Sequence, residues 1–209
     1  MYFNLIVTHE PGRDNYYWAL DQIREILGPN IQLIHSRQSI IFLKTDEPHK
    51  AAEKIRKMLQ GSSTPIYRVI PIDIVTDPLI DRVSEAIREL APKIPKDNTF
   101  RITLQGHLYK SDESGRFMRL HTMDSIKILA EYVDRRVNLT NPDWIILVKV
   151  VIIRNRELAA IALLNRDEIK NIQRTTSKNN RIRKNNRKKP RHPNRNIKIH
   201  KMERITSTH

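Results

Sequence analysis

The sequence predicts an α/β (α+β) protein of two small folded units and a basic tail, and three observations carry that expectation. Apolar runs of strand length alternate with segments of helical periodicity up to Leu164. The pattern changes near Thr76, where a stretch rich in Asp and Pro separates two sets of elements. Charge is gathered at one end: residues 165–209 hold 15 Lys/Arg against 3 Asp/Glu, whereas residues 1–164 hold 23 against 20. The 209 residues suit two small domains. The expected boundaries are 1–75, 76–173 and 174–209, the last a tail too polar to build a core and expected to be disordered.

In the first unit, residues 2–7 (YFNLIV) read as a strand. Asp14 is placed to cap a helix whose apolar positions are Leu20, Ile23 and Leu27, closed by Gly28 and Pro29. IQLIH and SIIFLK, separated by residues 36–38, form a hairpin pattern. Asp46 and Pro48 open a second helix, with Ala51, Ala52, Ile55, Met58 and Leu59 on one side and Gly61 after it. IYRVIPI, residues 66–72, is a fourth strand, and Pro71 marks its edge or end. The order β-α-β-β-α-β is that of a ferredoxin-like unit.

In the second unit, Asp77 and Pro78 predict a helix start, with Leu79, Val83, Ile87 and Leu90 at helical spacing and Pro92 and Pro95 ending it. Residues 99–105 alternate Phe100, Ile102 and Leu104 and read as a strand. A polar loop with Gly106 and Gly115 follows, and then a helix capped by Thr122 with Ile126, Leu129, Ala130, Val133 and Val137 on one face. Asn141, Pro142 and Asp143 turn the chain into a strand over residues 144–152. A turn at residues 154–156 leads to a second apolar strand over residues 158–164. Such continuous apolar strands predict a sheet covered on its faces. A short helix is expected over residues 167–173.

The composition excludes much chemistry. With no cysteine there is no disulfide, thiolate metal site or cysteine nucleophile. The five glycines are too scattered for a phosphate- or dinucleotide-binding loop, and no HExxH pair occurs. His107 and His121 flank one loop but fall short of a closed metal site. His49 and the Ser62–Ser63 pair show no nucleophile logic, and Asp73 and Asp81 read as solvated. No catalytic residue, metal or cofactor is expected. The apolar opening is too short for a signal peptide and the run at residues 144–153 too short to span a bilayer. A cytoplasmic protein without a membrane partner is expected.

What the sequence does offer is cationic surface. Residues 106–127 (GHLYKSDESGRFMRLHTMDSIK) carry His107, Lys110, Arg116, Arg119, His121 and Lys127 around a loop and a helix start, with Thr122 and Ser125 as hydroxyl donors. Guanidinium groups and free helix-terminal amides both suit phosphate, while Asp112, Glu113 and Asp124 dilute the charge. Arg101 on the preceding strand joins this set. In the tail, RKNNRKKPRHPNR over residues 183–195 supplies Arg183, Lys184, Arg187, Lys188, Lys189 and Arg191. A block of this kind favours nucleic acid.

Residues from about 79 to 164 resemble the THUMP domain, an RNA-binding unit of tRNA-modifying systems. The resemblance is carried by FRITL at residues 100–104, the helix over residues 124–133, and above all VNLTNPDWIILVKVV at residues 137–151. That run is similar to the family's V-D-L-x-N-P-D followed by an apolar strand, with Asn138 at the family's Asp position. RDEIKNI at residues 166–172 looks like the segment after the domain in stand-alone THUMP proteins similar to the adaptor of the tRNA cytidine acetyltransferase. Those proteins pair a ferredoxin-like unit with THUMP and lack a catalytic domain. LQGH at residues 104–107 departs from that branch, where basic residues are common. The resemblance implies binding of tRNA at its acceptor stem and 3′ end. It also implies a separate partner enzyme that makes N4-acetylcytidine. Two other readings stay open: an RNA-modifying enzyme with an unrecognised site, and a general RNA- or ribosome-associated protein that binds through its tail.

Overall fold

A computed structural model describes residues 3–112, 114–169 and 172. The first six elements are β1 (Leu5–His9), α1 (Arg13–Leu27), β2 (Gln32–Arg37), β3 (Ile40–Lys44), α2 (Pro48–Leu59) and β4 (Ile66–Pro71). They form an antiparallel sheet ordered β2-β3-β1-β4. Each helix thus links two strands that are split by a third, as a ferredoxin-like unit requires. Pro71 ends β4 and pairs with Leu5 at the sheet edge, where its missing N–H costs no ladder bond.

The second sheet contains β5 (Ile74–Thr76), β6 (Thr99–Gln105), β9 (Arg136–Val137), β10 (Trp144–Ile153) and β11 (Arg156–Asn165) in the order β5-β11-β10-β6-β9. β7 (Tyr109–Ser111) and β8 (Phe117–Arg119) form a separate two-stranded ribbon. Helices α3 (Ile80–Leu90) and α4 (Thr122–Ala130) complete the described elements. β10 and β11 pair over ten positions about a turn at Arg154 and Asn155, both at positive φ, as a two-residue hairpin demands. Ile74–Thr76 belongs to this second sheet, although the residues read as a break between units.

Period-two alternation assigns each strand's faces. Leu5, Val7, Ile41 and Leu43 meet Ile23 of α1 and Ala52 and Ile55 of α2. On the far side of the second sheet, Phe100, Ile102, Ile146, Val148, Ile161 and Leu163 pack with Val83, Ile87 and Leu90 of α3 and Leu129 of α4. Between the sheets lies a third apolar layer, in which Phe3, Ile6, Phe42 and Ile70 face Ile145, Leu147, Leu158, Ala160 and Leu164. The continuous apolar runs of β10 and β11 are explained by this arrangement: helices cover one face and another sheet covers the other.

Several local expectations shift. Asp14 lies in the first turn of α1, and Gly12 holds the N-cap position. Asp77 does not cap α3, because its carboxylate pairs with Arg156 at 2.7 Å and the helix starts at Ile80. Asp73 is not solvated: its side chain is 16% exposed and accepts a hydrogen bond from the Leu163 N–H. Met58 is exposed rather than packed with its helix's apolar face. Residues 166–169 form a turn, and the rest of the short helix expected there, apart from Ile172, lies outside the described residues. No helix among the described residues is long and apolar enough to cross a membrane.

Phe42 is 2% exposed in the layer between the sheets, so Phe42→Ala should cost about 3–5 kcal/mol. Urea unfolding followed by far-UV and near-UV signals should give one shared transition, displaced to lower denaturant, because both sheets depend on this layer.

Candidate nucleic-acid interface

The polar loop expected after β6 is the β7–β8 ribbon. Its base is anchored: Leu108 is fully buried, Leu120 N–H donates to the Leu108 carbonyl at 2.9 Å, and Tyr109 N–H donates to Pro78 at 2.9 Å. Its tip is organised by Asp112, whose carboxylate accepts from Ser114 N–H, the Ser114 hydroxyl and Arg116 N–H at 2.7–2.9 Å. Gly115 supplies the positive φ of that turn. These hydrogen bonds hold the Asp112 carboxyl below its ordinary range. The Asp112 carboxylate therefore serves the turn.

The predicted basic residues separate into groups. Lys110, Arg116 and Arg119 are exposed along the ribbon. Arg119 Nη2 contacts His107 Nε2, which joins the ribbon to the end of β6. His121, at the ribbon's far end, is the N-cap of α4; its Nδ1 accepts from Met123 N–H at 3.3 Å, so His121 has the role expected of Thr122. Thr122 is the first helical residue and Lys127 lies exposed in the last turn. Ser125 is wholly buried, and its hydroxyl donates to the His121 carbonyl at 3.1 Å. Arg101 donates from Nη1 to the Leu139 carbonyl at 3.0 Å and fastens the loop after β9. Arg183, Lys184, Arg187, Lys188, Lys189 and Arg191 lie outside the described residues.

Two features were missed by sequence reasoning. Phe117 and Met118 stand on β8 with 65% and 53% of their surface exposed, and Met123 beside them has 53%. Their signal was an apolar pair between arginines (GRFMR) with no helical or strand partner. The other is a charged seam. His49, in the first turn of α2, donates from Nε2 to Asp73 at 3.1 Å and from Nδ1 to Glu168 at 2.7 Å. Arg56 Nη2 lies 4.0 Å from the same Glu168 oxygen. Glu168 also accepts from Asn165 N–H at 3.0 Å. These groups border a cavity of about 570 Å³ with Trp144 and Lys93 on its wall.

The hydrogen bonds to Asp73 and Glu168 outweigh burial and raise the His49 pKa to about 9, so the ring is an imidazolium at neutral pH. Burial pushes both carboxyls up, but the His49 bond and a backbone N–H bond to each prevail and leave both below their ordinary values. The seam is a fastening between α2, the segment before β5 and the end of β11.

The resemblance motif is also a fastening. Asn138 Oδ1 accepts from Thr140 and Asn141 N–H, which closes an Asx turn that aspartate would close equally well. Asp143 Oδ2 accepts from Thr99 N–H at 2.9 Å and from its hydroxyl at 2.7 Å, locking the start of β10 to the start of β6. At the other end of β6, Gly106 is required: at φ +103° a Cβ there would lie 2.7 Å from the Val150 Cβ.

No protein-family model matches the sequence. No curated protein matches it either. Solved structures do. PH1313 from Pyrococcus horikoshii Ot3 is similar with a TM-score of 0.55 at 17% identity, over 78% of this chain and 55% of that one. TrmN from Thermus thermophilus is similar with a TM-score of 0.50 at 13% identity, over 81% and 47%. The likeness lies in the fold, which is THUMP-like. The chain spans about half the length of the structures it matches.

The seam sets the pH dependence of stability. A His49 pKa raised in the fold stabilises fully below the ordinary histidine value, and that contribution is lost as pH rises through about 9. Lowered carboxyl values stabilise above the ordinary carboxylate range and lose that effect as pH falls through it. Thermal melts should show their highest stability between the carboxylate range and about pH 6.5, with an alkaline fall that runs from about 6.5 to about 9 and an acid fall through and below the ordinary carboxylate range. His49→Gln should flatten the alkaline fall, worth about 1 kcal/mol because solvent screens a ring that is 40% exposed. Separately, Gly106→Ala should lower stability by about 2 kcal/mol, and adding Val150→Ala should recover little of it, because alanine keeps the Cβ that lies 2.7 Å away and the positive φ remains.

Proposed function

We propose that the protein is a non-catalytic tRNA-binding adaptor that presents the acceptor stem and 3′ end to a separate modification enzyme, in the first instance one forming N4-acetylcytidine. The observation that carries this reading is the anchored ribbon of a THUMP-like fold, which holds Lys110, Arg116 and Arg119 outward beside the start of α4. A rigid array of cations on a folded surface can select an RNA by shape, because phosphate spacing differs between helices and loops. In this reading the seam is structural, its His49 N–H groups and two carboxylates fastening α2 to the segment before β5 and the end of β11. The tail strengthens binding without choosing, since phosphates are alike in every RNA. Deposition of the acetyl group belongs to the partner, and the cytoplasm is the proposed compartment.

Titration of fluorescent tRNA across a salt series tests the division of work. Residues 1–173 should keep a preference for tRNA over an unstructured RNA of equal length, with weaker binding and a shallower salt slope than the full chain. Arg116→Ala and Arg119→Ala should each flatten the log–log slope by roughly 0.7–0.9. Nucleoside analysis of tRNA incubated with the protein alone should show no new nucleoside. Loss of all tRNA preference on truncation would transfer the function to the tail, and a new nucleoside would make the protein an enzyme.

A further inference from the structure

The ribbon carries an arrangement that phosphate binding does not require. Tyr109 pairs with Arg119, Lys110 with Met118 and Ser111 with Phe117. Alternation therefore puts Phe117 and Arg119 on one face of β8, and Met118 with Lys110 on the other. Phe117 is 65% exposed, the most exposed aromatic ring among the large apolar residues of the described chain, and among the described residues only a single bridge from Leu79 to Tyr109 of β7 joins the two-stranded ribbon. The exposure does not come from a slack loop, because the base and the tip are both tied by backbone hydrogen bonds and by Asp112.

We propose that this ribbon is a stacking platform for an unpaired nucleobase, with Phe117 against the base face and Arg116 and Arg119 on the flanking phosphates. The inference deepens the RNA-binding reading above and rests on it. Charge complementarity selects the occupant: an exposed ring flanked in sequence by Arg116 and Arg119, sharing its face with Arg119 and Tyr109 and backed by Lys110, suits an aromatic anion better than an apolar protein surface. Inside a duplex the base faces are already stacked, so the ring can be used only by a base that is out of the helix. Aromatic stacking tolerates any base, which makes the platform a reader of single-strandedness rather than of sequence.

The test uses the full chain, a short single-stranded RNA containing 2-aminopurine, a blunt RNA duplex of the same composition, and tRNA. Binding should quench the 2-aminopurine fluorescence. Phe117→Ala should abolish the quench and weaken single-strand binding roughly 5- to 150-fold, with an unchanged salt slope and little effect on the duplex. Phe117→Trp should restore both. Because Phe117 is exposed, the Ala variant should melt like the parent, so lost binding reports lost contact. Binding within twofold of the parent with the quench intact overturns the proposal. So does a Phe117→Ala variant that binds RNA normally but loses self-association in sedimentation, which would assign the ribbon to a second copy. A Phe117-dependent quench without any preference for tRNA supports the platform and sinks the tRNA reading; a tRNA preference indifferent to Phe117 does the reverse.

Discussion

The structure depends on the burial of β10 and β11 on both faces. Helices α3 and α4 cover one side and the ferredoxin-like sheet covers the other, so both strands are shielded on each face except at the hairpin end, where Ile152 is exposed. Ala160 and Ala162 keep the inner face of β11 flat, and Phe42 with Phe3 fill the space this leaves. Sheets packed face to face stand about 10 Å apart, which requires such pairing of small with large residues. The other parts hang from this pair. β6 adds in parallel to β10, β5 adds to β11, and the ribbon leaves from the end of β6. A disturbance in the central layer therefore reaches the ribbon through backbone pairing alone.

Polar groups in this protein divide between fastening and display. The NPD loop, Arg101, Asp112 and the His49 seam all spend their hydrogen bonds inside the molecule. Burial makes this necessary at the seam, where an imidazolium between two carboxylates is stable only because every charge has a partner. Lys149 shows the same constraint on the inner face of β10. Burial and the nearby Arg68 lower its pKa, and its ammonium donates to Gln105 at 2.8 Å. On the ribbon, by contrast, Lys110, Arg116 and Arg119 are exposed, and the Asp112 carboxylate is engaged by the turn.

Much of the fold was legible because burial writes a period into the chain. β6 was read to the residue, and the hairpin of β2 and β3, the long apolar strands and the Pro71 edge all follow from apolar spacing. Helix caps were less legible. Asp14, Asp77 and Thr122 each have the right chemistry, but the helix begins where the chain direction allows; Asp77 was claimed by Arg156, a residue far along the sequence. The ribbon was hidden because strands exposed on both faces have no alternation to read. The seam was hidden because His49 and Glu168 are 119 positions apart, and no local pattern joins them. Nor could the apolar runs say whether a helix or a sheet covers them, since either partner demands the same residues.

The near balance of charge in residues 1–164 constrains how this protein can choose a ligand. A body with 23 cationic and 20 acidic side chains cannot select RNA by bulk attraction, which the 15 Lys/Arg of residues 165–209 supply more cheaply. On the proposed reading, selection must come from a few groups held in fixed relation. In the ribbon the geometry is set before any ligand arrives: the tip by Asp112, the base by Leu108 and the Leu120 hydrogen bond, and the exit from β6 by Gly106 beneath Val150. Preorganisation of this kind lowers the ordering cost of binding, so a small contact set can discriminate. It also explains why an apolar ring can be left in water on a tied ribbon. The folded core supplies the rigidity that keeps the ring and its neighbouring cations in fixed relation.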